Sequence, residues 1–191
     1  MTAAAPVIEN QAAFRALMDA MARPGEIKTL GCSDAPPPLM AGTAAIVRSL
    51  ADYETPVWLD GTLAAEPAVA SWIRFQTGAA IVADRQQAAF ALVGNGGDLP
   101  DFAAFSSGSD DYPERSTTLV VQVERFSGEA FSLTGPGIQT ERMLAAEPLP
   151  DDFAKRWTAN HALFPRGIDL LLVAGDRVAA LPRTVRVARR G

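Results

Sequence analysis

The 191-residue chain is 48% hydrophobic and 20% charged, a balance that fits one well-cored globular domain over 1–191 and excludes a disordered chain. Its 22 acidic residues against 17 lysines and arginines give a net charge of −5, which argues against a general nucleic-acid binder. The single cysteine, Cys32, excludes an internal disulfide and fits a reducing compartment; with no leader-like N-terminus and no apolar run of membrane-spanning length, the chain reads as cytoplasmic.

In chain order, Asn10 is placed to cap a helix running to Ala22, with Phe14, Leu17, Met18 and Met21 on one apolar face. Arg23-Pro24-Gly25 ends that helix, and residues 26–30 read as a short strand. The Pro36-Pro37-Pro38 run is a stiff connection; a small-residue helix follows over 39–50, its first turn weakened by Gly42 and Thr43. Residues 56–59 form a strand ending in an Asp60-Gly61 turn, and 67–75 a helix with Gly78 just past its end. A small buried strand over 79–83, a short helix over 85–90 and a brief strand over 91–93 come next.

Residues 94–115 hold Gly-Asn-Gly-Gly and Ser-Ser-Gly-Ser-Asp-Asp and read as a long loop, pinned partway by Leu99, Phe102 and Phe105. The strongest strand signal spans 117–123, and 130–133 follows a Ser127-Gly128 turn, predicting an antiparallel hairpin between the two. A helix starting at 149–152 runs to about His161 or Leu163, and strands over 168–173 and 178–181 pair across a turn. Pro182 stops the last strand and leaves an Arg-rich tail. Helices interleaved with strands predict an α/β fold, a three-layer α/β/α sandwich on a mixed sheet.

Chemistry-bearing sets are sparse. His161 is the sole histidine, so neither a histidine triad nor a histidine metal cluster can be assembled, and a polar structural contact is expected of it. Cys32 is expected to be a buried, inert thiol. Lys28 and Lys155, the only lysines, read as solvated charges and poor Schiff-base candidates. Asp52-Tyr53-Glu54-Thr55 and Asp110-Asp111 read as turn or cap residues. What remains is arginine beside turns: Arg23-Pro24-Gly25, Pro165-Arg166-Gly167 and Pro182-Arg183-Thr184, together with Gly135-Pro136-Gly137 after the 130–133 strand. Such turns either present N–H groups and guanidinium forks to an anion or close a tight interface.

Several stretches together resemble one family. Phe14-Arg15-Ala16-Leu17-Met18-Asp19-Ala20-Met21-Ala22-Arg23-Pro24-Gly25 is similar to the opening of the H subunit of the bacterial carbon–phosphorus lyase core complex, the PhnH family. Leu50-Ala51-Asp52-Tyr53-Glu54-Thr55-Pro56-Val57-Trp58-Leu59, Phe75-Gln76-Thr77-Gly78, and Pro113-Glu114-Arg115-Ser116-Thr117-Thr118-Leu119-Val120 continue the likeness. Leu133-Thr134-Gly135-Pro136-Gly137-Ile138, Phe164-Pro165-Arg166-Gly167-Ile168-Asp169-Leu170 and Ala180-Leu181-Pro182-Arg183-Thr184 complete it in order, from about residue 10 to 186. Gln76 stands where the family often has histidine.

The resemblance implies a role in phosphonate catabolism. With the G, I and L subunits, such a chain supports transfer of methylphosphonate onto the ribose of ATP, giving α-D-ribose 1-methylphosphonate 5-triphosphate. It further implies a fold like the large domain of pyridoxal-phosphate-dependent transferases but without that cofactor or any other, a homodimer, and assembly with the G, I and J subunits and transiently L. Two roles stay open. In one, the chain is a structural or substrate-positioning subunit, inactive alone, in which Arg23, Gly135, Pro136, Gly137, Arg183 and Thr184 face a subunit or an anion. In the other, it is a self-sufficient phosphonate- or nucleotide-binding domain. Arg183→Ala is expected to harm growth on phosphonate more than folding.

Overall fold

The computed structural model describes residues 4–31 and 34–189, with side chains from Asn10 onward; Cys32 lies outside the described residues. Helix α1 (Ala4–Ala22) begins earlier than Asn10, which therefore lies inside it rather than capping it. Pro6 falls in the first turn, where a missing N–H deprives no intrahelical acceptor. The buried stripe is Ala13, Leu17 and Ala20; Phe14 and Met18, expected inside, are 45% and 42% exposed. Small alanines let α1 approach its neighbours closely, so the true stripe is the less hydrophobic one.

Strand β1 (Lys28–Thr29) is shorter than expected. Helix α2 (Ala41–Leu50) buries residues 42–47. Gly42 is needed there for closeness: a Cβ would sit 2.8 Å from Val173 Cγ1 and 3.0 Å from the Gly175 carbonyl oxygen. Strand β2 (Val57–Leu59) leads to Asp60, whose carboxylate accepts from Leu63 N and caps a one-turn helix α3 (Gly61–Ala64), where only a turn was expected. Helix α4 (Pro67–Thr77) ends on Gly78 in the left-handed region, as anticipated. The strand β3 (Ile81–Val82) is a half-buried sheet edge rather than a buried strand. The expected helix over 85–90 is a single 3-10 turn, Arg85–Gln87, because Phe90 already belongs to strand β4 (Phe90–Val93).

Strand β5 (Thr118–Gln122) is followed by β6 (Arg125–Thr134) and β7 (Arg142–Glu147), then α5 (Phe153–His161), β8 (Asp169–Ala174), β9 (Arg177–Leu181) and β10 (Arg186–Arg189). A seven-stranded mixed sheet runs β1-β9-β8-β5-β4-β2-β3, and a second sheet runs β10-β6-β7. The β8–β9 hairpin is as expected. The predicted hairpin between 117–123 and 130–133 is not formed. Strand β5 is parallel to β4 on one side and to β8 on the other, so both its edges are used. Strand β6 pairs antiparallel with β7 and β10 instead. The Arg-rich tail is thus partly strand, with Val185 and Val187 buried.

The main sheet is buried on both faces. Val120, Leu171 and Val173 meet Leu17, Ile46 and Ile73 beneath α1, α2 and α4. Leu119, Val121, Leu170 and Leu172 face Phe102, Leu133, Phe153 and Trp157. This second face is covered by α5, the small sheet and the 99–105 segment together, so one helical layer is shared with strands. The segment 94–115 is loop broken by 3-10 turns, and Leu99, Phe102 and Phe105 anchor it as expected. Phe102 meets Trp157 edge-on with ring centroids 5.8 Å apart.

Trp157 is fully buried, and its indole Nε1–H donates to the Val185 carbonyl at 2.8 Å, tying α5 to the turn before β10. Trp157→Phe keeps most of the ring but leaves that carbonyl unpaired. A loss of about 1–3 kcal/mol is expected, read as a lower urea midpoint.

Candidate functional site

Three turns singled out by the sequence meet in space. Gly25, at φ 75°, follows the end of α1, and its N–H donates to the Ala180 carbonyl at 3.1 Å. Gly135 and Gly137 hold φ values of 139° and 81°, and Ile138 N closes their turn on the Gly135 carbonyl at 3.1 Å. A Cβ on Gly137 would lie 2.2 Å from the Ala22 carbonyl oxygen and 2.8 Å from Pro24 Cδ. One on Gly135 would lie 3.0 Å from the Thr184 carbonyl oxygen. The Gly-Pro-Gly turn is therefore wedged between the Arg23-Pro24-Gly25 and Pro182-Arg183-Thr184 turns. Glycine is required both for the backbone angles and for the clearance. Pro136 lies exposed at the tip of the wedge, and Thr184 is half-buried beside Gly135.

One arginine bonds across the seam, Arg142, and it was not anticipated; Arg183, which was, faces elsewhere. Arg142, on β7, donates from Nη1 to the Pro24 carbonyl at 3.1 Å, and its Nη2 is 3.0 Å from Glu26. Nothing in its surroundings marked it, because no strand was expected there. Arg183 points to the other side of its turn. Its Nε donates to the two Asp169 carboxylate oxygens at 3.1 and 3.2 Å, Nη1 to the Pro113 carbonyl at 2.8 Å and Nη2 to Ser116 Oγ at 2.5 Å. Its backbone N–H adds a bond to Asp169 at 2.8 Å, and the His161 Nδ1–H donates to its carbonyl at 2.9 Å. This is the structural contact expected of His161, and the carbonyl acceptor requires the proton on Nδ1. Arg183 thus fastens the end of the 94–115 segment to β8, with its fork filled by internal acceptors. Arg23 is 55% exposed and ion-paired to Asp19 one turn earlier.

The remaining candidates are apart from the seam. Asp52 accepts from Glu54 N at 2.9 Å, the turn role expected of it, and Asp110 pairs with Arg166 at 3.1 Å. Gln76 is exposed on α4, and Lys155 is exposed on α5. Lys28 is not a free solvated charge: its Nζ lies 2.5 Å from Asp19 and 2.7 Å from Glu26. Its hydrogen bonds are the largest cause lowering both carboxyls below their ordinary values of 3.8 and 4.5, and those to Asp19 and Glu26 raise Lys28 above 10.5. Among the described residues, no three His, Cys, Asp or Glu side chains are grouped to hold a metal.

Open α/β sheets bind ligands in the crevice at the carboxyl ends of their parallel strands. Here that edge is closed. Gln122, 2% exposed, donates from Nε2 to the Pro38 carbonyl at 3.0 Å and accepts from Met40 N at 2.7 Å. Asp60, 7% exposed, accepts from Gly94 N at 2.8 Å as well as from Leu63 N. The Pro38–Met40 stretch thus lies bonded to the end of β5, and both Asp60 oxygens are occupied.

These features define a mixed α/β protein whose notable polar residues hold turns and strand ends together. The model of the family described as "Bacterial phosphonate metabolism protein (PhnH)" matches residues 2–188. Over 186 residues, 96% of this chain and 92% of the relative, the sequence is 45% identical to the Rhizobium meliloti (strain 1021) protein named "Alpha-D-ribose 1-methylphosphonate 5-triphosphate synthase subunit PhnH". It is also 42% identical over 85 residues, 44% of each chain, to the Stutzerimonas stutzeri "Putative C-P lyase subunit protein HtxG". The chain belongs to the PhnH family.

Three outcomes follow from this geometry. The side chains of Arg183 and Asp169 are only 13% and 17% exposed, so the pair stands nearer the buried class than the surface class, where pairs contribute 0–1 kcal/mol. Arg183→Ala is expected to cost about 3 kcal/mol in chemical denaturation, with Arg183→Lys intermediate, which makes folding and not only growth its first casualty. Gly137→Val is expected to lower the melting temperature and release the seam, seen as faster amide exchange at residues 22–25 and 135–138. The depressed Asp19 and Glu26 values mean that their pairs stabilise the fold above pH 4.5 and lose that effect as pH falls below 3.8. The raised Lys28 value means that its contribution is present below pH 10.5 and fades above it. A Lys28→Met variant should therefore differ from the parent in melting temperature at pH 7 and converge with it in acid.

Proposed function

We propose that this chain acts in phosphonate catabolism as a subunit of the carbon–phosphorus lyase system. On this reading it supports, with the G, I and L subunits, formation of α-D-ribose 1-methylphosphonate 5-triphosphate from ATP and methylphosphonate. Its role is structural or substrate-positioning, and it is inactive alone. The likeness to the Rhizobium meliloti synthase subunit over nearly the whole of both chains supports the pathway. The observation that carries the non-catalytic role is the closed edge of the main sheet, where Gln122 and Asp60 are fully engaged with the backbone. The internal engagement of Arg183 points the same way.

The same reading includes a cytoplasmic homodimer that joins the G, I and J subunits and, transiently, L. Among the described residues, no helix is long and apolar enough to cross a membrane. The seven-stranded mixed sheet is compatible with a fold like the large domain of pyridoxal-phosphate-dependent transferases, and Lys28, held between two carboxylates, is poorly placed for a Schiff base. Exposed Arg23 and Pro136 are the seam residues best presented to a neighbouring subunit.

Co-expression with the G, I and J subunits should recover this chain in a stable assembly. The purified chain incubated with ATP and methylphosphonate should release no adenine. Adenine release by the chain alone would overturn the reading in favour of a self-sufficient enzyme.

A further inference from the structure

Residues 79–83, Ala-Ala-Ile-Val-Ala, carry no polar side chain, yet they form an edge of the main sheet: β3 pairs with β2 on one side and ends the strand order on the other. The hydrogen bonds fix which backbone groups are left over. The Ala80 carbonyl accepts from Val57 N at 2.8 Å, so the trans peptide turns the Ile81 N–H away from the sheet. The same alternation turns the Ile81 carbonyl and the Ala83 N–H outward, and among the described residues nothing bonds to them. Ile81 is half-buried and Ala83 exposed. At the opposite end of the sheet, β1 lies against α1. Two aromatic side chains stand at the start of β3. Phe75, 86% exposed, is in the last turn of α4, which leads into β3 through Gly78. Tyr53, 75% exposed, packs at that glycine: a Cβ on Gly78 would lie 3.5 Å from Tyr53 Cβ.

An open row of N–H and carbonyl groups suits one kind of occupant, an extended backbone, and exposed aromatic rings beside it supply anchors. We infer that β3 is the docking edge for an extended, basic segment of a neighbouring subunit. The segment pairs with Ile81 and Ala83, adding a strand to the seven-stranded sheet, and sets apolar side chains on Phe75 and Tyr53. Charge gives the segment its sign. Asp52, Glu54 and Asp84 are exposed around this edge, with Arg74 as the base beside them, while Arg85 is laid over Trp58 with its guanidinium carbon 4.8 Å from the ring centroid. A second copy of this chain is a poor occupant, because two-fold pairing of β3 would bring the same acids together. The inference rests on the assembly role proposed above and names one contact surface within it.

Co-expression of the full-length chain with the G, I and J subunits tests it, with recovery of each variant in the assembly as the readout. Phe75→Ala and Tyr53→Ala remove exposed rings, so the isolated chain should melt as the parent does while recovery falls at least about tenfold for the double variant. Ala83→Pro removes an N–H that faces away from β2, a change an edge strand tolerates, and should lower recovery as well. Glu54→Lys should weaken docking of a basic segment. In the assembled parent, the Ile81 and Ala83 amides should exchange at least about tenfold more slowly than in the isolated chain. Recovery of the parent together with equal recovery of the double variant and Ala83→Pro, or unchanged exchange at Ile81 and Ala83, overturns this surface and leaves the assembly role standing. Loss of self-association by the variants with assembly intact assigns the edge to a second copy and equally overturns it. Failure of the parent itself to assemble overturns the assembly role and this surface with it.

Discussion

The Arg183–Asp169 pair locks together strand ends that the main sheet brings side by side. Asp169 opens β8, Arg183 follows β9, and the same guanidinium reaches Pro113 and Ser116 at the end of the long 94–115 segment. Each guanidinium nitrogen has an acceptor, so the charge is compensated where water is largely excluded. The pair therefore positions the entry to β5, the strand at the centre of the main sheet, and the turn against which Gly135 rests. Removing one partner leaves a partly desolvated charge as well as a missing bond.

The seam of three turns adds a different physics. Gly135 and Gly137 let their backbone approach the Thr184 and Ala22 carbonyls, and Gly25 leaves room for the Leu133 and Arg142 side chains. Arg142 then bonds to carbonyls that the tight packing would otherwise leave exposed at the rim. On the opposite side of the logic, the Gln122 and Asp60 contacts close the strand ends where a sheet of this kind usually receives a ligand. One protein thus combines occupied strand ends with exposed turns at Arg23, Pro136 and Gly137.

Local signals were legible where the chemistry is local. The α5 helix, the β8–β9 hairpin and the Gly78 stop were readable because caps, periodicity and turn residues act within a few positions. Strand partnership was not. The apolar run of β5 is buried on both faces, and nothing in its own residues says that its partners are β4 and β8 rather than the next strand along. Strand β7 hid because its buried residues are only Leu144 and Ala146, set between polar Arg142 and Glu147. The candidate site was half visible: the turns could be named from glycine and proline, but their meeting depends on approach distances that no spacing encodes. Arg183 was noticed for its position, but its internal partners lie 14 to 70 residues away, beyond what local spacing can show. Phe14 and Met18 drew the eye by size, whereas alanine packing chose the neighbouring stripe.

The order in which the pieces join has a bearing on biosynthesis. Strand β10, which flanks β6, and the Thr184–Val185 backbone beneath Gly135 both follow every other element of the fold in chain order. While the ribosome still shelters that stretch, the small sheet lacks one of its strands and the central wedge has nothing to rest on. The main sheet's core strands can pair earlier, but the domain completes itself only once residues 184–189 have emerged.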